Sequence, residues 1–411
     1  MKKRTITTDV KVIKTKIIDT LEFRLVFPIK HHNDNSHYIN MLDLFVSTTS
    51  QKYHNQRDFK KESLKHTILG LGISELTIAE TTYIIYSFGL PREGIIKNFN
   101  MDESFEFAIN ALLKPYLDGC AFNAEKFNYE KEFLLSNHMR SLNNIYSANS
   151  RKFYDYIDPN DCLGNSYEKS GEVLKQMTPE KLYEFYKKNI LENTFIPYAY
   201  GNIAVSDAKR LFNKYIPQKE KSVTFNTSYF KLLPISKPTY QEEITKYNQS
   251  ELFLEYQVDI KESETKYLST LINILNAQEN NLIFEALRVK HNLVYDVMLK
   301  SFSSRGMFVI IAFIPNDKYK ETKKIIKSVF TSLKNKEYLT NCLNKLIKGL
   351  EIDLLKEQDG QGKLLNDTVN HDLGIRTTEE LLERTASVKV ADLIKFIDRV
   401  KLTNEMFFRG E

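Results

Sequence analysis

Residues 11–30 (KVIKTKIIDTLEFRLVFPIK) alternate apolar and polar side chains with many β-branched positions, the period of half-buried strands. Helical spacing takes over near Tyr38, and residues 77–90 (TIAETTYIIYSFGL) return to a strand pattern. Asp102 is placed to cap the next helix, in which Phe105, Ala108, Ile109, Leu112 and Leu113 recur on one face. A long helix is predicted over 124–144. Thr178-Pro179-Glu180 opens another, with a capping hydroxyl and a proline at the first helical position. Residues 195–203 (FIPYAYGNI) read as a short closing strand, and a last helix starts at Ser206.

Residues 217–238 are charged, rich in Ser and Thr, and weakly periodic, so 217–240 is taken as a linker. The order then replays. Residues 252–260 (LFLEYQVDI) match the strand at 23–29; a helix is predicted over 265–291 and two strands within 295–314. Residues 317–333 form an amphipathic helix with Ile325, Ile326, Val329 and Phe330 on one face, and a long helix covers 337–356. The chain closes on a helix and the strand 404–410, placed like 193–201. The repeat predicts an α+β protein of two duplicated lobes, 1–216 and 241–411, each a mostly antiparallel sheet with helices packed on one face.

With 411 residues, 42% hydrophobic and 27% charged, the chain is long enough for two cores and too apolar for disorder. Net charge is only +5, and no Lys/Arg stripe interleaves with aromatics, so nucleic acid is not an expected partner. Cys120, Cys162 and Cys342 are odd in number and widely spaced, which suits free thiols in a reducing cytoplasm. No apolar run approaches the ~18 residues of a membrane span, and the first residues form no signal segment. The expected setting is cytoplasmic, with no membrane partner.

Three stretches carry a family resemblance. Residues 280–297 (NNLIFEALRVKHNLVYDV) run from a helix ending in Arg288, through a short turn, to Tyr295 seven positions on. SFSSRGMFVIIAF follows as strand–turn–strand with Gly306 at the bend. Residues 50–53 (SQKY) lie just beyond the first helix. These stretches, in this order, resemble the insulinase/pitrilysin-type metallopeptidase family, in particular its small bacterial two-lobed members. Catalytic members carry HxxEH on that first helix, where two His ligands share one face and the Glu activates water. Aligned through 50–53, this sequence has Asn40 and Leu44 at the ligands, Asp43 at the base, and Asn137 at the third ligand. No histidine of the eight stands in HxxEH or HExxH. Alkyl and amide groups are no substitute for imidazole, so no metal is expected in this chain.

In the family, the Arg and Tyr of the second lobe reach the zinc and touch substrate near the scissile bond. A guanidinium fork and a phenol both donate hydrogen bonds to a peptide carbonyl or its oxyanion. Arg288 and Tyr295 also have a plain reading, as a helix-end cation and a core-edge aromatic. His31, His32, Asp34 and His37 share a polar loop whose spacing suits no common metal site. Gly360 and Gly362 lack the strand and helix of a phosphate cradle. His138 reads as a helix-surface residue. The resemblance implies a noncatalytic subunit of a heterodimeric zinc endopeptidase: an HxxEH-bearing partner holds the zinc, this chain supplies Arg288 and Tyr295, and peptides or leader segments are the substrate. The alternatives are a purely structural or binding protein of the same fold, or a self-sufficient peptidase with unconventional ligands.

Overall fold

The computed structural model describes the chain apart from residues 1–2, 79, 143, 158–166, 217–219, 227–231, 233–236, 277–280 and 359–362, and the side chains of 142, 145, 147, 167–170, 357 and 358. In chain order the first half runs β1 (Lys3–Thr7), β2 (Lys11–Lys14), β3 (Thr20–Lys30), α1 (Asn35–Val46), α2 (Gln56–Lys65), β4 (Leu71–Ile78), β5 (Thr81–Pro91), α3 (Met101–Leu113), β6 (Leu117–Asp118), β7 (Ala121–Phe122), α4 (Ala124–Leu142), α5 (Ile145–Ile157), α6 (Tyr167–Gln176), α7 (Pro179–Tyr186), β8 (Ile196–Gly201), α8 (Val205–Tyr215) and β9 (Ser222–Asn226). The second half continues β10 (Thr239–Thr245), β11 (Ser250–Gln257), α9 (Thr265–Asn276), α10 (Leu282–Phe284), β12 (Val297–Phe302), β13 (Met307–Ile314), α11 (Tyr319–Ser332), α12 (Lys336–Gln358), α13 (Lys363–Leu373), α14 (Thr378–Ala386), α15 (Val390–Arg399) and β14 (Lys401–Gly410).

The duplication is visible strand by strand. The two five-stranded sheets have the orders β2-β8-β3-β5-β4 and β10-β14-β11-β13-β12. In each, only the first pair is parallel and the rest are antiparallel. Alternation along the central strands sorts side chains between two faces. Leu21, Phe23, Leu25, Phe27 and Ile29 of β3 enter a core with α1, α3, α7 and α8. Phe23 stacks on Phe88 at 5.1 Å and meets Phe105 edge-on at 5.1 Å, pairs that add about 0.5–1.5 kcal/mol each to simple burial. Leu252, Leu254 and Tyr256 of β11 do the same against α9, α11, α12 and α15.

Each sheet also carries one helix on its other face, from a distant part of the chain. The first compact unit is Met1–Asn143, Pro159–Ser228 and Gln361–Gly374; the second is Asn144–Asp158, Tyr229–Gly360 and Ile375–Glu411. Two helices therefore leave a contiguous division at 216 and 241. Within the first unit, α13 lies over the β3 residues between the core positions: Arg24 donates to Asn366 (2.8 Å), and Tyr198 and Lys11 both reach Asp372. Within the second, α5 covers the odd-numbered side of β11, where Phe153 packs on Phe253 at 5.0 Å and Asn149 donates to the buried Glu251 (3.0 Å). Both follow the long helix of their own half, α4 or α12, so the exchange is itself duplicated.

Some local expectations need correction. Residues 77–90 are not one strand: β4 and β5 form a hairpin that continues back to Leu71. Asn100, not Asp102, caps α3, accepting from the Glu103 N–H; Asp102, inside the first turn, accepts from Arg210 (2.7 Å) and Lys214 (3.0 Å). The helix expected over 265–291 is α9, then α10 running into a π-helical turn, with 277–280 outside the described residues. Much of 217–240 is likewise outside them, although β9 pairs antiparallel with β1. Among the described residues no helix is long and apolar enough to cross a membrane.

Candidate functional site

Arg288 and Tyr295 lie on one turn of the second unit, and the sequence explains its shape. The Asn281 side chain caps α10 by accepting from the Phe284 N–H (2.9 Å). Residues Glu285–Lys290 then widen into a π-turn, a form that recurs at functional positions because it shifts side chains off the regular helical spacing. Asn292 takes φ 50°, the left-handed conformation that Asn tolerates, and the chain reverses. Leu287, Leu293 and Val294 are buried in the core and hold the turn from below.

Arg288 braces this turn. Its Nη1 donates to the Val294 carbonyl (2.9 Å) and to Asn292 Oδ1 (3.2 Å). Tyr295 donates its N–H to the Phe313 carbonyl (3.1 Å), and Phe313 returns its N–H to the Asp296 carbonyl (3.1 Å). Two residues thus oppose one, a β-bulge at the start of the edge strand β12. The bulge turns the Tyr295 ring outward, where it is 77% exposed. No hydrogen bond to its hydroxyl occurs among the described residues. The arrangement presents a phenol to solvent on a rigid backbone, with a guanidinium pinned to the residue before it.

The first unit repeats the bulge: Leu69 donates to the Gly89 carbonyl (2.9 Å), and Gly89 to the Gly70 carbonyl (3.0 Å), at the start of β4. Leu69 therefore stands where Tyr295 stands, half exposed and without a hydroxyl. Only the second unit offers a donor at this point.

The positions that the sequence aligns with the family's zinc motif lie on α1 and α4, which pack together in the first unit. Met41, Leu42, Phe45 and Val46 fill the core, so the opposite stripe of α1 carries Asn40, Asp43 and Leu44. Asn40 and Asn137 are exposed, and Leu44 is half-buried. Asp43 is also half-buried, and its Oδ1 accepts from the Ile73 N–H at 2.7 Å. Burial raises its carboxyl above the ordinary range, opposed by that hydrogen bond. Two amides, an alkyl group and a carboxylate already engaged do not fit zinc. Among the described residues no group of three His, Cys, Asp or Glu is placed to hold a metal. Elemental analysis of the purified chain after dialysis without chelator is expected to find no stoichiometric zinc; about one zinc per chain, bound in the first unit, would overturn this.

The other candidates have local roles. His31 hydrogen-bonds Thr82 Oγ1 (2.9 Å) and Asn33 Oδ1 (3.3 Å), which fixes the loop holding His32, Asp34 and His37. His138 is half-buried on α4. Cys120 is free and exposed, and burial raises the thiol of free Cys342. Cys162, Gly360 and Gly362 lie outside the described residues.

The family model described as "Peptidase M16 inactive domain" matches residues 176–346, which include Arg288, Tyr295 and the whole β12–β13 hairpin. Over this segment the chain is similar to the M16 peptidases. A Bacillus subtilis protein named "Probable inactive metalloprotease YmfF" is 20% identical over 345 residues, covering 80% of this chain and 79% of that one. Among solved structures, a conserved protein from Enterococcus faecalis is 18% identical and superposes with a TM-score of 0.85 over 100% of this chain and 99% of its own. An M16 inactive domain from Pseudomonas fluorescens is 12% identical, with a TM-score of 0.72 over 100% and 98%. These folds agree with the two-lobed α+β architecture expected from the sequence.

The turn's architecture had no clear signal in the sequence. Asn292 stands within RVKHNLV, where no Gly or Pro marks the reversal, and the acceptor role of Asp43 depends on a strand thirty residues away.

Proposed function

We propose that this chain is the noncatalytic subunit of a heterodimeric zinc endopeptidase in the cytoplasm. An HxxEH-bearing homologue holds the zinc, and this chain completes the peptide-binding chamber and lends Arg288 and Tyr295 to the partner's site. The observation that carries the reading is Tyr295, held outward at the head of a free sheet edge with Arg288 locking the residue before it. A phenol 77% exposed on a braced turn has no packing duty, whereas a donor aimed at a peptide carbonyl needs both exposure and rigidity.

Substrate in this reading is an extended peptide or leader segment that adds to a sheet edge through main-chain hydrogen bonds, which gives affinity with little sequence preference. The M16 inactive-domain match and the inactive relative support a chain without chemistry of its own. Coexpression with an HxxEH-bearing homologue followed by gel filtration is expected to give a 1:1 complex, with an interface of at least the standard ~1,600 Å². Two separate peaks at micromolar concentration would argue instead for a binding protein that acts outside proteolysis.

A further inference from the structure

We propose that Asp43 is an edge clamp: its carboxylate occupies the outward N–H of Ile73 and so withholds β4 from strand addition until the clamp opens. This rests on the reading that the chain handles peptide as an added strand.

The ladder geometry fixes which backbone groups are free. Gly70 and Gly89 form a hydrogen-bonded rung, and the register runs Gly72↔Ser87, Ile73↔Tyr86, Ser74↔Ile85. Rungs alternate in an antiparallel pair, so Gly72 and Ser74 bond to β5 while the N–H of Ile73 points away from the sheet. That N–H is one of the outward groups an incoming strand would use, with those of Leu71, Glu75 and Thr77, and it already donates to Asp43 Oδ1 at 2.7 Å. A charge-assisted bond of this length is among the stronger ones available to a backbone amide.

A second observation shows that the contact is built in. Gly72, beside Ile73, has no side chain, and a Cβ there would sit 3.0 Å from the same Asp43 oxygen. The glycine leaves the space that the carboxylate fills. The second unit provides the contrast. Counted from its own bulge, Leu299 of β12 is the equivalent of Ile73, and among the described residues no side chain accepts from its N–H. The two sheet edges are thus unequal as strand acceptors, and the difference lies in one carboxylate at the position aligned with the family's catalytic base.

Amide hydrogen exchange at Ile73, read on the full-length chain with and without a fluorescein-labelled peptide of alternating threonine and glutamine, tests the clamp. In Asp43→Ala, exchange at Ile73 should accelerate by about tenfold, the scale of one hydrogen bond to a charged group, and saturating peptide should restore protection. Wild type should be protected without peptide and bind it about tenfold more weakly. Asp43→Asn keeps an acceptor oxygen and the side-chain volume but loses the charge, so its exchange should fall between wild type and alanine, and it guards against a folding defect in the alanine variant. Equal exchange in wild type and Asp43→Ala overturns the clamp, whatever the fate of the peptide reading. Equal peptide protection of Ile73 in both also overturns it, while strand addition stands. No peptide protection in any variant overturns the clamp and removes strand addition at this edge with it.

Discussion

Replacing Arg288 with alanine should lower turnover of the assembled peptidase by about 10²-fold, the scale for losing one donor to a developing oxyanion. Tyr295→Phe removes only a hydroxyl and should slow cleavage while leaving assembly and melting temperature unchanged. The ring is 77% exposed, so the fold loses nothing by that change. Arg288 is a harder case, because it also braces the turn through the Val294 carbonyl and Asn292. Arg288→Lys separates the two duties. A single ammonium can still reach one carbonyl, so the turn should hold, but the fork is gone and the rate should stay low. If both residues serve only the fold, Tyr295→Phe is silent and Arg288→Ala costs a modest amount of stability with turnover intact. Kinetics and thermal melts on the same heterodimers distinguish these outcomes.

A second large effect is expected from the buried acid under α5. Glu251 is fully buried, faces Asn149, and burial pushes its carboxyl up to about 7. In the unfolded chain it ionises near 4.5. The folded state therefore holds the proton more tightly, and its advantage is complete below about 4.5 and lost as pH rises through about 7. By pH ~8 the buried charge costs about 3 kcal/mol. Glu251→Gln keeps the bond to Asn149 and cannot ionise. Its melting temperature should match wild type near pH ~4.5 and exceed it by several degrees near pH ~8. Parallel pH profiles would show that Glu251 is not buried in this form. Glu255, buried on the same side of β11 and raised by burial against bonds from Asn404, Gln257 and Thr403, is common to both proteins and cancels in the comparison.

The duplicated order of elements was legible because each central strand keeps period two and each long helix keeps its apolar face, both local properties of the chain. Thr178 with Pro179 was legible for the same reason, and Thr178 does accept from Lys181 N–H. The exchanged helices were not. Residues 145–157 and 363–373 each have one apolar face, but periodicity does not say which sheet that face meets. Glu251 and Glu255 are charged positions that alternate with apolar ones, yet α5 covers that side and every residue of β11 is buried. In the site, the pairing of Arg288 with the turn before Tyr295 follows from seven-residue spacing only once Asn292 reverses the chain. Asp43 was legible as the residue aligned with the family's catalytic base. Its bond to Ile73 joins segments thirty residues apart and lies beyond any local pattern.

In the assembled peptidase this chain is expected to contribute to cleavage that it does not itself perform. The direct measurement is peptide turnover by the HxxEH-bearing homologue alone, by this chain alone, and by the 1:1 mixture at matched zinc content. The predicted result is no cleavage by this chain, little by the homologue, and a rise of at least about 10²-fold on mixing, the contribution expected from donors supplied in trans. A homologue equally active with and without this chain would contradict the account.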